Sequence, residues 1–369
     1  MKNTEHTFRV VVSADCNLRC SYCSTNCGRF DGGAGRMSDE TIAATIGFIA
    51  ETGGFAGDVR LIPSGGEPLM HLDAIEALVS GLRARLSDGR RLSVTLTTNG
   101  TLLDEACAAR IRSLGCEPQF SIDGPAAVHD HHRVFADGRG SHAHAVRGLE
   151  TWRRTSEAAG IRPRLRVQAA ISRSDSLSAV MRYFDELDID EVCAIPVKKS
   201  AWRSEADGGG TSPYAREFVN EAERYLNAHG PRELLEEPPR LYALGRLLTT
   251  QLFDVDANKH CGIGRTVLGI DRDGGLWPCD GFIGLDDSYR LGNVRLGLDE
   301  QRLESLEARL SVYQQGCAGC GIETRCNDLC LAQALLDGFE PGDDPTSWCE
   351  QLRWISGEIA AMTEKWRSK

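Results

Sequence analysis

The 369-residue sequence lacks the features that would place it in a membrane, outside the cell or on a nucleic acid. No apolar run is long enough to cross a bilayer. The N-terminal MKNTEHTFRV lacks the continuous apolar stretch that a signal peptide contains, and the C-terminal EKWRSK has no lipidation motif. The net charge of -11 disfavours binding to a phosphate backbone. We therefore expect a cytoplasmic protein with no membrane and no nucleic-acid partner.

Internal repeats and low-complexity tracts are also missing, whereas cysteine is abundant, with 14 residues. A reducing compartment disfavours disulfide bonds, so metal binding is the expected use of these thiols. The length allows one large domain and a second domain about a third its size.

Short apolar runs alternate with amphipathic segments over residues 8–190, a pattern typical of βα units around a parallel sheet. Six strands are predicted, at residues 8–13, 59–63, 92–97, 118–122, 165–171 and 191–197. Asp104 is a candidate helix cap, and Gly115 allows the left-handed turn that ends that helix. We predict further helices at residues 213–228, 239–252 and 349–367. The expected fold class is α/β.

The pattern fades after Val197 into a Gly-rich stretch at residues 206–210, and cysteines crowd together from Cys261 onward. These changes in composition predict three parts. They are an α/β barrel domain over residues 1–200, a linker with helices over 201–260, and a cysteine-rich domain with a C-terminal helix over 261–369.

The first cysteine cluster, Cys16, Cys20 and Cys23 in C-N-L-R-C-S-Y-C, directly follows the first predicted strand. Three thiolates leave one iron of a 4Fe-4S cube open to a ligand. A zinc loop completed by Cys27 is the alternative, because zinc prefers four ligands. The spacing resembles that of the radical S-adenosylmethionine (SAM) superfamily. This resemblance implies a partial (β/α)6 TIM-like barrel, in which the open iron chelates SAM and reduction releases a 5'-deoxyadenosyl radical.

Other motifs of that family follow the next strands. Glycines in G-G-E-P let the backbone approach a ligand closely, and the glutamate can accept from an ammonium group. By resemblance, this motif binds the methionine amino group, and the serine and arginine of the fourth βα unit hold its carboxylate and the ribose or nearby groups. The SAM-binding candidates are Tyr22, Gly65, Gly66, Glu67, Pro68, Asn99, Ser121, Asp123 and Arg133.

Histidines at residues 129, 131, 132, 142 and 144 suggest a metal site, but a polar loop carries histidine readily and this stretch resembles an ordinary segment of the family. We predict no metal role for them. Cys107, Cys116 and Cys193 lie in helix or strand patterns and are predicted to be small core residues.

The second cysteine cluster includes C-x2-C-x5-C-x3-C, preceded by a Gly-x4-Cys spacing at Gly274. A zinc ribbon is the alternative for this pattern. The whole set resembles the SPASM domain, which holds two auxiliary 4Fe-4S clusters. By resemblance, the outer cluster is bound by Cys317, Cys320, Cys326 and Cys349, and the inner one by Cys261, Cys279 and Cys330. One ligand of the inner cluster is unaccounted for.

Asp280 follows Cys279 directly. In the similar sulfatase-maturating enzymes, the aspartate directly after the corresponding cysteine is catalytic. A carboxylate there could accept the proton that leaves an oxidised substrate carbon. The alternative is a turn-capping aspartate.

Proteins that resemble both parts usually act on peptides. We expect SAM cleavage and hydrogen abstraction from a precursor peptide, ending in a thioether, carbon-carbon or ether cross-link. Alternatives are a formylglycine-forming sulfatase maturase, a small-molecule dehydrogenase or epimerase, and a non-catalytic electron-transfer or zinc protein. Expected partners are the peptide or protein substrate and a flavodoxin- or ferredoxin-type reductant. Because the first strand begins near the N-terminus, leader recognition would need a separate protein or the barrel edge.

Overall fold

The computed structural model describes most of the chain. The described residues are 4–23, 34–51, 57–86, 89–172, 174–197, 211–230, 233–253, 262–315, 320–322, 326, 332 and 346–367. They fall into two compact units. Unit 1 comprises residues 1–121, 129–165 and 261–309, and unit 2 comprises residues 122–128, 166–260 and 310–369.

Strands and helices alternate along the first half of the chain, as expected for βα units. The strands are β1 (Glu5–Ser13), β2 (Asp58–Gly65), β3 (Leu92–Thr98), β4 (Cys116–Ser121), β5 (Arg166–Ile171), β6 (Glu191–Pro196), β7 (Val267–Ile270), β8 (Gly275–Trp277), β9 (Gly292–Asn293) and β10 (Gly297–Leu298). The helices are α1 (Asp39–Glu51), α2 (Leu72–Arg85), α3 (Glu105–Ser113), α4 (Ala126–His132), α5 (His142–Ala158), α6 (Leu177–Glu186), α7 (Pro213–Ala228), α8 (Glu233–Glu236), α9 (Tyr242–Phe253), α10 (Glu300–Gln315) and α11 (Thr346–Arg367).

Unit 1 is built on a sheet with the strand order β10-β9-β8-β7-β1-β2-β3-β4. Strands β7, β1, β2, β3 and β4 are parallel, whereas β8, β9 and β10 are antiparallel additions at one edge. β1 is central, with Val10 opposite both Pro63 of β2 and Ile270 of β7. Phe8, Val10 and Val12 are fully buried. The parallel strands therefore bring their carboxyl ends, and the loops that follow them, to one edge of this sheet.

Unit 2 contains the parallel pair β5 and β6 together with α6, α7, α9 and α11. Ser212 caps α7 by accepting from the N–H of Ala215, and its hydroxyl also donates to Gln351 of α11. Trp366, at the end of α11, donates its indole N–H to the carbonyl of His229 at 2.6 Å. α7 and α11 therefore pack together at both ends of α7.

The α/β fold class predicted from the sequence is confirmed, and α7 has the predicted bounds. Asp104 caps α3 by accepting from the N–H of Cys107, and Gly115 has φ of 53°, as expected. The predicted C-terminal helix is present as α11, but the regular structure between residues 261 and 315 was not predicted: β7 joins the parallel sheet beside β1, and α10 buries Leu303 and Leu306. The division into three parts, with boundaries after residues 200 and 260, stays a prediction. Among the described residues, none of the helices combines the length and apolarity needed to span a bilayer.

Candidate functional site

The loop that leaves β1 carries the three cysteines of the first cluster, all partly exposed. It is fastened by backbone hydrogen bonds to the segment that follows α4. The N–H of Arg19 donates to the carbonyl of Val134 at 2.7 Å, and the N–H of Ser21 donates to the carbonyl of His132 at 3.0 Å. Within the loop, the N–H of Cys23 donates to the carbonyl of Cys20 at 3.1 Å. These bonds hold the cysteine backbone in one arrangement.

The Cys16 thiol lies close enough to Cys20 and Cys23 for ionised forms of these residues to affect it. The pKa of Cys16 is raised to about 12, mainly by burial and in smaller part by the charges of Glu67, Cys20 and Cys23, while the N–H of Leu18, which donates to its Sγ at 3.4 Å, opposes this rise. A neutral thiol is thus favoured, and a metal that binds there must displace a proton.

Arg133 lies against this loop. Its Nη1 donates to Cys20 Sγ at 3.9 Å, and its guanidinium lies 5.4 Å from the centre of the Tyr22 ring. The backbone of Arg133 is fixed as well, because its carbonyl accepts from the hydroxyl of Ser141 at 2.7 Å. The structure therefore brings the candidates Tyr22 and Arg133 together at the cysteine loop.

Gly65 and Gly66, at the end of β2, let the chain pass close to the start of the cysteine loop. A Cβ on Gly65 would lie 2.0 Å from the carbonyl oxygen of Ser13, and one on Gly66 would lie 2.2 Å from that of Asp15. Gly65 also has φ of 127°, which favours glycine. The close approach is thus to the chain's own backbone, whereas the sequence had suggested approach to a ligand. Pro68 follows as the first residue of a 3₁₀ turn, in which Pro68 and Leu69 are buried.

Glu67 is a deeply buried charged residue of the site, with 1% of its surface exposed. Its Oε1 accepts from the N–H of Leu69 at 3.0 Å and from the Thr98 hydroxyl at 2.7 Å, and its Oε2 accepts from the N–H of Asn99 at 2.7 Å. Burial raises the pKa of Glu67, and these donors together with the charge of Arg133 lower it by less. A carboxylate offers about four acceptor positions, so about one is left for an outside donor.

Asn99 belongs to a ring of side-chain hydrogen bonds that reaches into the cysteine loop. Its Nδ2 donates to Asn17 Oδ1 at 2.9 Å, Asn17 Nδ2 donates to Thr101 Oγ1 at 2.8 Å, and Thr101 Oγ1 donates to Asn99 Oδ1 at 2.7 Å. Asn17, between Cys16 and Cys20, was missed by the sequence analysis. The ring ties the cysteine loop to the end of β3.

Asp15 precedes the first cysteine and forms a second connection that the sequence did not reveal. Its carboxylate accepts from the N–H of Gly35 at 3.1 Å and lies 2.9 Å from Nε2 of His71. The hydrogen bond from His71 and that from Gly35 lower the pKa of Asp15. His71 ends the 3₁₀ turn that follows the G-G-E-P segment, so the two motifs are connected through side chains as well as backbone.

Two further SAM-binding candidates lie at or after the end of β4. Ser121 is the last residue of β4 and is 8% exposed. Asp123 is fully buried, and its Oδ1 accepts from the N–H of Ala170 at 3.0 Å. This bond gives Asp123 a structural role in unit 2.

Asp280 begins a short 3₁₀ turn directly after Cys279. Its Oδ2 lies 3.3 Å from Nη1 of Arg9 on β1, and both side chains are partly exposed. Residues 279 and 280 lie over Gly269 of β7, where a Cβ would be 2.5 Å from the carbonyl carbon of Cys279. The ion pair thus connects Asp280 to the central strand of the unit 1 sheet.

Cys279 of the second cysteine cluster lies in unit 1, whereas its other described cysteines, Cys320, Cys326 and Cys349, lie in unit 2. Nε of Arg353 donates to Cys320 Sγ at 3.5 Å. Arg353 lies four residues after Cys349 on α11, so both side chains lie on the same face of that helix. Cys326 donates its N–H to the carbonyl of Ile322 at 2.7 Å. Cys27, Cys261, Cys317 and Cys330 lie outside the described residues.

His129, one of the clustered histidines, is fully buried in unit 1. Its Nε2 lies 3.0 Å from the hydroxyl of Ser141, and burial lowers its pKa to about 3. It is therefore a neutral core residue. Cys116 is buried as predicted, while Cys107 and Cys193 are partly exposed.

The cysteine, histidine and carboxylate side chains of the site determine which metal group it could hold. Among the residues that the structure describes, no group of three or more His, Cys, Asp or Glu side chains is arranged to hold a metal ion as it stands. The chemistry of the first cysteine loop nevertheless fits an iron–sulfur cluster, because its three thiols lie on one short, fastened loop and thiolates are the usual ligands of such clusters.

Comparison with known proteins identifies this region. Residues 10–158 match the profile of the Radical SAM superfamily, and this segment contains the cysteine loop, Glu67 and Arg133. The chain carries a radical SAM domain. Such a domain implies a 4Fe-4S cluster and SAM.

The radical SAM domain and the rest of the chain are similar to sulfatase-maturating enzymes. A serine-type anaerobic enzyme of Klebsiella aerogenes is 30% identical over 147 residues, which are 39% of this chain and 36% of that one. The chain thus spans about a third of that relative. A cysteine-type enzyme of Clostridium perfringens is 25% identical over 315 residues, covering 77% of this chain and 76% of that one.

Solved structures share the fold over almost the whole chain. The structure of anSMEcpe with bound AdoMet has a TM-score of 0.75 at 19% identity and covers 98% of both chains. Streptococcus suis SuiB bound to the precursor peptide SuiA has a TM-score of 0.58 at 13% identity and covers 93% of this chain and 76% of that one. These matches confirm the radical SAM type of barrel.

Proposed function

We propose that this protein cleaves SAM reductively and uses the resulting radical to oxidise a residue of a peptide. The observation that carries the proposal is the cysteine loop, whose three thiols are fastened beside Arg133 and near the buried carboxylate of Glu67. Cys16, Cys20 and Cys23 would hold the cluster. When bound, it supplies the electron that cleaves the sulfonium of SAM to the 5'-deoxyadenosyl radical.

The surrounding residues suit the charges of the methionine part of SAM. Glu67 retains about one acceptor position for the amino group, while its protein donors fix the orientation of the carboxylate. Arg133 offers a planar guanidinium to the carboxylate, and its contacts with Cys20 and Tyr22 hold it in place. Tyr22, Gly65, Gly66, Pro68, Asn99, Ser121 and Asp123 complete the proposed set by binding SAM or by shaping its site.

Two auxiliary 4Fe-4S clusters form a second part of the proposal. Cys317, Cys320, Cys326 and Cys349 would bind one, and Cys261, Cys279 and Cys330 the other. The contact of Arg353 with Cys320, one helical turn from Cys349, supports convergence of the first set. The positive charge of the Arg353 guanidinium would also stabilise Cys320 as a thiolate, which is the form that binds iron.

Asp280 is proposed as the base that accepts the substrate proton. Oxidation of the substrate residue removes a hydrogen atom, which goes to the radical, then a proton and an electron. The proton would pass to Asp280, and the electron to an auxiliary cluster. Nη1 of Arg9 lies 3.3 Å from Oδ2 of Asp280 and holds this carboxylate in place.

Two outcomes of this oxidation remain open. A cross-link in a precursor peptide is one, supported by the fold shared with SuiB. Conversion of a Ser or Cys residue to formylglycine is the other, and the similarity to a cysteine-type sulfatase-maturating enzyme over 77% of this chain supports it at least equally. A flavodoxin- or ferredoxin-type protein would supply electrons, and a separate protein would present a leader where the substrate has one.

The two outcomes can be separated with peptides. The reconstituted protein, SAM and a chemical reductant are incubated without oxygen with sulfatase-type peptides that carry Cys or Ser, and with peptides encoded next to its gene. A product that reacts with a hydrazine reagent contains the formylglycine aldehyde, whereas a product that has lost hydrogen without such reactivity is cross-linked. SAM cleavage with no change in any peptide would contradict the peptide substrate and favour a small-molecule one.

A further inference from the structure

A cavity of about 240 Å³ lies in unit 1, next to the carboxyl end of β1. Its lining includes Val11 and Ala14, and Ala14 lies two residues before the first cysteine. Residues 283–285, which lie just after Asp280, also line it. The cavity is therefore close in sequence to both the proposed cluster loop and the proposed base, and no role has been assigned to it above.

The walls of the cavity are mostly apolar and held rigidly. Val11, Ala14, Trp277 and Ile283 are all at least nine-tenths buried. Asp271 fixes the turn that contributes residues 271–273 to the lining. Its Oδ1 accepts from the N–H groups of Asp273 and Gly275 at 2.9 and 2.7 Å, and its Oδ2 accepts from the indole N–H of Trp277 at 2.7 Å. The space is thus preorganised, since its lining is held by hydrogen bonds that need no ligand.

Two arginines line the cavity, and their situations differ. Arg272 donates to the carbonyl of Ala34 and lies 3.8 Å from the carboxylate of Asp273. The guanidinium of Arg290, in contrast, has no hydrogen-bond acceptor and no ion-pair partner within the described part of the chain. It lies over Gly275, where a Cβ would come within 2.8 Å of its Nε. The neighbouring carboxylate of Asp271 is already committed to three donors.

We propose that this cavity binds a carboxylate carried on a short apolar stem, with Arg290 as the partner of the carboxylate. A guanidinium presents a planar fork that matches a carboxylate, and the apolar walls suit methylene groups. If the proposed peptide function holds, the carboxylate belongs to a glutamate-like side chain of the substrate peptide. A free small dicarboxylate offers the same chemistry. Asp287, exposed at the rim, limits the affinity by repulsion.

The test compares two probes that differ only in charge, N-acetyl-glutamate N-methylamide and N-acetyl-glutamine N-methylamide. Their binding to the full-length, anaerobically reconstituted protein is measured by ligand-observed NMR. The glutamate probe should bind about tenfold tighter, as expected for a hydrogen bond to a charged group. Arg290→Gln should abolish the preference, and Asp287→Asn should increase affinity for the glutamate probe. Arg60→Gln, an exposed arginine on β2 outside the cavity, is the matched control and should keep the wild-type preference.

Equal binding of the two probes, binding of neither, or a preference that survives Arg290→Gln would overturn the proposal. Glutarate is titrated in parallel: tighter binding of glutarate than of the blocked glutamate identifies a small acid as the ligand, and the reverse identifies a peptide residue. Because the probes bind without turnover, the result is independent of SAM cleavage. Failure of wild-type protein to form 5'-deoxyadenosine would refute the proposed function while leaving the carboxylate site intact.

Discussion

Replacement of Glu67 by glutamine should destabilise the protein despite preserving size and shape. The carboxylate accepts three hydrogen bonds from protein donors, two at Oε1 and one at Oε2. An amide retains one acceptor oxygen and gains an NH2 donor. If that oxygen keeps the bonds from Leu69 and Thr98, the NH2 group faces the N–H of Asn99. One bond is lost, and two donors oppose each other in a site that is 1% exposed.

The expected magnitude follows from these contacts. A hydrogen bond to a charged group is worth about 1.5–3 kcal/mol, and a buried donor without an acceptor costs about 1–3 kcal/mol. The neutral amide, however, avoids the burial cost that raises the pKa of Glu67. We therefore expect Glu67→Gln to lower the free energy of unfolding by about 1.5–3 kcal/mol, at the lower end of the summed effects.

Urea unfolding followed by far-UV circular dichroism measures this change, with all proteins prepared in the same cluster state. Glu76→Gln is the matched control, because Glu76 is a partly exposed carboxylate paired with Arg110 at 2.7 Å. Loss of this ion pair should lower the free energy of unfolding by at most about 1 kcal/mol, as for other surface ion pairs. Equal effects of the two substitutions would refute the argument that the buried hydrogen bonds accepted by Glu67 stabilise the fold.

Three further predictions concern other parts of unit 1. His129 has its pKa lowered from 6.5 to about 3 by burial, so its neutral form is favoured in the folded state and stability is lost as the pH falls below 6.5. In urea titrations between pH 6 and 4.5, the free energy of unfolding of wild type should fall relative to that of His129→Gln by up to about 1.4 kcal/mol per pH unit. Equal pH dependence of the two unfolding free energies would contradict this. Asn17→Ala opens the side-chain ring and should lower iron retention during gel filtration, and unchanged retention would show that the ring is not needed. Gly66→Ala should prevent cluster assembly, because the new Cβ would lie 2.2 Å from the carbonyl oxygen of Asp15. Gly357→Ala, where no atom lies within 4 Å of the new Cβ, should be neutral or stabilising in thermal melts.

The sequence predicted the elements that carry strong local patterns. The α7 bounds match because Ser212 and Pro213 mark its start and apolar residues recur along one face. The six strands of the βα units were found within a few residues, since buried parallel strands are continuous apolar runs. The cysteine loop and the G-G-E-P segment were found because they resemble motifs of the radical SAM superfamily and follow predicted strands.

Other features could not be predicted, because they depend on contacts between distant residues. β7 is only four residues long and contains Gly269, so nothing local indicates that it pairs with β1. α10 has few apolar residues and buries only two leucines among its described side chains. Asp15, Asn17 and His71 are single polar residues without a motif, and only the fold shows that they connect the cysteine loop with the G-G-E-P segment and the end of β3. The same holds for Arg290, whose guanidinium has no hydrogen-bond acceptor among the residues that the structure describes.

The central claim is that Cys16, Cys20 and Cys23 hold the cluster that cleaves SAM. The most direct measurement is reductant-dependent formation of 5'-deoxyadenosine, with iron and sulfide content, in anaerobically reconstituted wild type and in a variant with all three cysteines changed to alanine. Cys107→Ala, on α3, is the control. We predict about twelve irons per chain for three 4Fe-4S clusters, about four fewer in the triple variant, and cleavage in wild type and control only. Zinc instead of iron, or cleavage that survives in the triple variant, would contradict the account.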